Sequence, residues 1–297
     1  MNGYRILLYY KFVPIENPDV FAKEHLDFCR SLELLGRVII APEGINGTVS
    51  GSLHQTEAYV SAMHNDQRFE DMIFKVDESD QHVFKRLSVK ARKEIVTFGL
   101  DTVNPNRLTG KYMEPKDFFL ALQNPETVII DARNDYEYDM GHFRNAIRPN
   151  VETFKEFPDW VRTNLSGLKD RKILTYCTGG IRCEKFSGFL LQEGFHEVYQ
   201  LHGGIINYSK DPEVKGRLFE GKCYVFDERI AVRANFSGED KIISTCQYCQ
   251  VPTDRFVNCA HLDCHSRFFL CESCEKTYRR SCSKDCENAA HHEYIDV

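Results

Sequence analysis

The first apolar run of the chain, Ile6 to Phe12, reads as a strand, and the pattern from about Pro18 to Leu35 reads as a helix stopped by Gly36. Arg37-Val-Ile-Ile-Ala41 follows as a second strand, and Asn46-Gly47 predicts a hairpin turn into a third, Thr48-Val49-Ser50. A second helix from about Leu53 to Asn65 leads to a fourth strand, Met72-Ile-Phe-Lys-Val76. The order βαββαβ predicts a ferredoxin-like α+β domain over residues 1–94. RNA-recognition domains share this order, but Thr48-Val49-Ser50 stands where their base-stacking aromatics belong, so that reading is rejected. The segment Pro42 to Thr48 is read as a tight hairpin rather than as part of a site. Farther along, Thr127-Val-Ile-Ile-Asp131, Ile173-Leu-Thr-Tyr176 and Val198-Tyr-Gln-Leu201 are short buried strands, and a helix-like segment from Glu184 to Gln192 follows the second of them.

A chain of 297 residues holds two or three domains of this size. No apolar run approaches the ~20 residues that span a bilayer, and Met1 to Lys11 lacks the apolar core and cleavage site of a signal peptide. Twelve cysteines without a secretion signal point to reactive thiols and metal ligands in a reducing compartment, hence a cytoplasmic protein with no membrane partner. The formal net charge of -6 gives no global attraction for nucleic acid. One stretch departs from it: Lys85, Arg86, Lys90, Arg92 and Lys93 fall within HVFKRLSVKARK with no acidic residue, and Phe84 and Leu87 are interleaved. It is a candidate phosphate-contact strip for RNA, or else a solvated connector between domains.

The chemistry concentrates in Cys177-Thr178-Gly179-Gly180-Ile181-Arg182. A cysteine between a strand end and a helix start faces the positive end of the helix dipole, where backbone N–H groups can converge on sulfur. The two glycines allow the tight turns such a cradle needs, and Arg182 adds a fixed charge. All three favour the thiolate, which is the nucleophile. Cys183 follows at once and is read either as a resolving thiol or as a small helix-start residue without chemistry.

The tail carries Cys246-x2-Cys249, Cys259-x4-Cys264, Cys271-x2-Cys274 and Cys282-x3-Cys286. Short-spaced thiolate pairs suit tetrahedral zinc, and eight ligands suffice for two structural ions. Pairing is either interleaved or sequential, and His261 or His265 could replace a cysteine. A module so small would draw most of its folding energy from the metal. Arg279, Arg280 and Lys284 offer it a grip on a polyanion.

The pattern Asp131-x-Arg133, Glu137, Gly141-His142, Ala146-Ile147, Pro149, then Cys177-x4-Arg182 and Leu201-His-Gly-Gly-Ile205, resembles a rhodanese domain. The resemblance implies a parallel-sheet α/β centre over about 95–222, Cys177 as the reactive residue, Arg182 and the loop amides stabilising its charge, and Asp131 with Arg133 bracing the loop. A loop of this length suits sulfur rather than phosphate. Together with Ala41-Pro-Glu-Gly-Ile-Asn-Gly-Thr48, Lys222-Cys-Tyr-Val-Phe-Asp-Glu-Arg229 and the cysteine-rich module over 223–297, the chain resembles the bacterial rhodanese-domain tRNA uridine hydroxylases. This second resemblance implies an acylphosphatase-like front domain and an oxidoreductase. The enzyme would use molecular oxygen as co-substrate to convert the wobble uridine of tRNA to 5-hydroxyuridine. Without it, the residues alone lead to a sulfurtransferase carrying a persulfide on Cys177. The sequence holds no flavin, haem or nicotinamide signature.

Overall fold

The computed structural model describes residues 3–295. The first domain is built from β1 (Tyr4–Phe12), α1 (Pro18–Ser31), β2 (Leu35–Ala41), β3 (Gly44–Ser52), α2 (Leu53–His64), β4 (Lys75–Ser79) and β5 (Leu87–Ala91). Its sheet runs β4-β1-β3-β2-β5, the ferredoxin-like order with one strand added parallel to β2. Strand alternation divides the sheet into two faces. Leu7, Tyr9, Val38, Ile40, Ile45 and Val49 pack beneath α1 and α2 with Cys29, Tyr59 and Met63. The opposite face carries cross-strand rows Lys75–Leu8–Thr48–Arg37–Ser88 and Tyr10–Asn46–Ile39–Lys90, and no helix of this domain covers it.

The central domain comprises β6 (Lys111–Met113), α3 (Pro115–Leu122), β7 (Val128–Asp131), α4 (Asp135–Met140), β8 (Gly141–Phe143), α5 (Phe157–Asn164), β9 (Lys172–Tyr176), α6 (Ile181–Gln192), β10 (Glu197–Leu201), α7 (Gly204–Lys210) and β11 (Phe219–Tyr224). The four-stranded sheet β6-β10-β9-β7 is entirely parallel. Apolar clusters bury both of its faces, as parallel strands require. β11 joins β8 and β12 (Ala231–Arg233) in a small antiparallel sheet leading to the tail. The tail itself holds β13 (Phe256–Asn258) paired with β14 (Arg267–Phe269), then α8 (Glu272–Thr277) and α9 (Lys284–Glu287).

Ion pairs lock the first domain to the rest of the chain. Lys185 on α6, with only 1% of its side chain exposed, reaches Glu43 at 2.8 Å and Glu94 at 2.6 Å. At the other end of the interface, Asp77 of β4 accepts Lys210 at 2.6 Å and Arg229 at 2.8 Å.

Four local expectations are corrected. The first helix stops at Ser31, because Glu33 takes a left-handed φ of 53° while Leu34 N–H bonds Cys29 O and Glu33 N–H bonds Arg30 O, a Schellman closure without glycine. Gly36 lies inside β2 instead. Asn46-Gly47 is not a turn: Pro42-Glu43 turns the chain, and Gly47 sits in mid-strand because a Cβ there would lie 2.4 Å from the Tyr9 ring. The fourth strand is shifted to Lys75–Ser79. The basic connector is in part the edge strand β5, its backbone paired to β2.

Candidate active site

The loop after β9 is shaped by its neighbours. Gly180 adopts φ 104°, and a Cβ on it would meet the Tyr10 hydroxyl at 2.8 Å. Ile205 N–H and Ile206 N–H, from the start of α7, bond the carbonyls of Cys177 and Thr178 at 3.0 and 3.1 Å. Gly204 must be glycine for this, since a Cβ would lie 2.5–2.8 Å from three backbone atoms of the loop. The Gly-Gly-Ile205 segment is therefore the outer brace of the cysteine loop. The inner brace is the fully buried pair Asp131–Arg133: Arg133 donates to the carboxylate at 2.6 and 2.9 Å and to Gly141 O at 2.6 Å. Ala132 N–H, between them, bonds Tyr176 O beside Cys177.

Cys177 is buried, and its sulfur accepts Gly180 N–H at 3.1 Å. Burial alone would push this thiol up. The Cys183 thiol, the Arg182 charge and the backbone N–H groups of Cys183 and Gly180 outweigh it, and the thiol is lowered to about 6. Cys183 moves the opposite way: burial and the Cys177 charge push it well above the ordinary thiol range. The two thiols therefore shift apart, Cys177 toward the thiolate and Cys183 toward the protonated form. Thr178 contributes differently, its hydroxyl accepting Arg182 at 3.4 Å. Arg182 is held by Glu137 through a buried bidentate pair at 2.6 and 2.9 Å. Burial would raise the Glu137 carboxyl, and the Arg182 charge brings it below its ordinary value. Glu137 closes the N-terminus of α4 in a capping box with Asn134. Sequence reasoning included Glu137 in a pattern without giving it a role; the Asn-x-x-Glu spacing was the signal for it.

Cys177 opens into a cleft of about 520 Å³ whose other wall is the uncovered sheet face, through Leu8, Tyr10, Asn46 and Thr48. Phe84, Phe154 and Phe226 complete a mostly apolar lining, with Gly179, Ile181 and Arg182 on the loop side. The segment 42–48, read from sequence as a plain hairpin, thus supplies part of the site. A second groove of about 590 Å³ adjoins the first, sharing Arg37, Ile39 and Phe84 with it. It gathers Lys85, Arg86, Lys90 and Arg92 from the basic stretch and adds Arg37, which sequence reasoning missed. Lys93 is exposed and does not line either cavity. Lys85 also pairs with Glu228 at 3.0 Å.

Among the described residues, two groups could hold a metal ion: Cys246, Cys249, Cys271 and Cys274, and Cys259, Cys264, Cys282 and Cys286. The pairing is the interleaved one. Neither His261 nor His265 belongs to a group; His261 faces Asp263 at 3.7 Å. All cysteines are free of disulfides. Sulfur–sulfur distances of 3.5–3.6 Å are close to the ~3.8 Å edge of a tetrahedron with 2.3 Å metal–sulfur bonds. In the same module Arg280 and Lys284 face Glu275 and Glu287, at 3.8 and 3.0 Å.

Comparison with known proteins adds a family. Residues 4–95 match the UPF0176 acylphosphatase like domain, 114–211 the rhodanese-like domain and 220–287 the rhodanase C-terminal model. The tRNA uridine(34) hydroxylase of Bacillus mycoides (strain KBAB4) is 55% identical over 293 residues, which is 98% of this chain and 92% of that protein. The protein of the same name from Bacillus cereus (strain AH820) matches with the same identity and coverage. Among solved structures, the Alr3790 protein from Anabaena sp. aligns with 37% of this chain and 91% of its own, at 23% identity and a TM-score of 0.31.

Proposed function

The chain belongs to the tRNA uridine(34) hydroxylase family, and on that premise we propose that it hydroxylates C5 of the wobble uridine of tRNA, with molecular oxygen as co-substrate and Cys177 as the catalytic residue. The observation that carries this reading is a stabilised thiolate at the base of an apolar cleft that continues into a basic groove. The thiolate adds to C6 of the uracil ring and makes C5 the nucleophilic carbon, which takes one atom of oxygen; a two-electron thiol reductant carries the other atom to water, and loss of the C5 proton then expels the Cys177 thiolate from C6. Arg182, fixed by Glu137, keeps the sulfur ionised, while Asp131 and Arg133 position the loop. Arg37, Lys85, Arg86, Lys90 and Arg92 contact the phosphates flanking the target, and Lys93 extends the same charge outward. The enzyme works in the cytoplasm.

Aerobic incubation of the protein with tRNA, followed by nucleoside mass spectrometry, tests this reading. One added oxygen on uridine 34 is expected. Sulfur appearing on tRNA, or thiocyanate formed from thiosulfate and cyanide, would replace it with the sulfurtransferase.

The two four-cysteine groups are the ligand sets of structural zinc, with no open position for chemistry. Two equivalents of zinc per chain are expected by atomic emission. Chelation should release both and leave residues from about 246 to 286 sensitive to protease, while the first two domains still melt cooperatively. A tail that stays protected without metal would contradict this assignment.

A further inference from the structure

A cleft that accepts uridine must also refuse cytidine, and its walls are mostly apolar. In such a site the few polar atoms fix which way a ligand sits. Two of them stand side by side on β3: Asn46 and Thr48, both on the uncovered sheet face and both lining the cleft that contains Cys177. We propose that Asn46 and Thr48 read the imide edge of the target uracil, a role that rests on the hydroxylase reading above.

Their bonding supports the assignment. Asn46 donates its side-chain NH2 to Ile95 O at 3.0 Å. Because a carbonyl can only accept, this bond sets the orientation of the amide and leaves its Oδ1 as an acceptor. Among the described residues, no protein donor reaches that oxygen, and none pairs with the Thr48 hydroxyl. Both residues line the cleft.

Uracil presents acceptor, donor, acceptor along O4, N3–H and O2. Asn46 Oδ1 takes the N3 proton, and the Thr48 hydroxyl donates to a flanking carbonyl. Cytosine has a lone pair at N3, so two acceptors would face each other without a proton between them. The geometry of the ring then orients the reaction. N3 and C6 are opposite atoms of a pyrimidine, so a base held at β3 by its N3 edge turns C6 toward the other wall. That wall is the Cys177 loop. The aromatic side chains of Phe84 and Phe226, the latter 47% exposed, offer stacking surface for the base faces.

Equilibrium binding of anticodon stem-loops tests the proposal. The loops differ only at position 34, carrying uridine, cytidine or 3-methyluridine, and are held without oxygen on the full-length protein. Wild type is expected to bind uridine about 10-fold or more tighter than either alternative. Asn46→Ala should bring the three affinities to within about twofold, and Thr48→Val, which keeps the shape of the side chain, should narrow the gap. The labelling profile of Cys177 with pH should not change in either variant, since neither residue touches the sulfur. Equal wild-type binding of the three stem-loops, or full discrimination retained in both variants, would overturn the edge reading alone. If no stem-loop binds at all, the hydroxylase reading fails with it.

Discussion

Serine in place of Cys177 is expected to lower 5-hydroxyuridine formation by at least about 1,000-fold, while tRNA binding stays within about twofold of wild type. Serine can still accept Gly180 N–H, but its hydroxyl does not ionise near neutral pH as the Cys177 thiol does. A stem-loop with 5-fluorouridine at position 34 should form a covalent adduct with wild type and none with the variant. With the thiol lowered to about 6, both kcat/KM and iodoacetamide labelling of Cys177 should rise through pH 6 and level off above 7. Cys183→Ala removes the thiol donor, so the midpoint should move upward. The same depressed pKa contributes stability that is full above the ordinary thiol value near 9 and is lost as pH falls through 6. A labelling rate that is flat between pH 5 and 8 would contradict an activated Cys177.

Lys185→Met is expected to be the most damaging change away from the loop, at about 3–5 kcal/mol. Methionine fills much of the space of the lysine stem but leaves Glu43 and Glu94 facing each other with no cation between them. The two carboxylates come from the β2–β3 turn and from the end of the basic stretch, so their repulsion acts directly on the docking of the sheet. Thermal melting should drop by several degrees, and protease should cut between the first two domains. Activity should fall because half of the cleft wall moves with the sheet. Adding Glu94→Gln to Lys185→Met should recover part of the loss. If the single variant melts like wild type, the ion cluster does not hold the domains together.

The cysteine loop was legible because its signals are local: a cysteine, two glycines and an arginine between strand and helix fall within a few residues. The eight tail cysteines were legible as candidate ligands for the same reason, but their grouping depended on how the module folds back on itself. The sheet face was harder to read. Alternation divides β3 into Ile45, Gly47 and Val49 on one side and Asn46 and Thr48 on the other, yet nothing in that period says that another domain covers the second side. Asn46-Gly47 misled for a related reason: the glycine is required by the Tyr9 ring across the strand, a contact that turn statistics do not include. Glu137 and Lys185 act at long range, on partners 45 and 91 residues away, and such pairs leave no mark on local sequence. Arg37 was hidden by lying in an apolar strand, outside the run of charges that drew notice.

Interleaving of the two cysteine groups has a consequence for the order in which a newly made chain matures. The first group is incomplete until Cys274 has been synthesised, and by then Cys259 and Cys264 of the second are already present. The two candidate ion sites are therefore completed close together, the first with Cys274 and the second with Cys286. Closing one shortens the loop that the other must close, so filling either favours filling its neighbour. A chain that stops before Cys271 carries Cys177 and its loop but completes neither four-cysteine group.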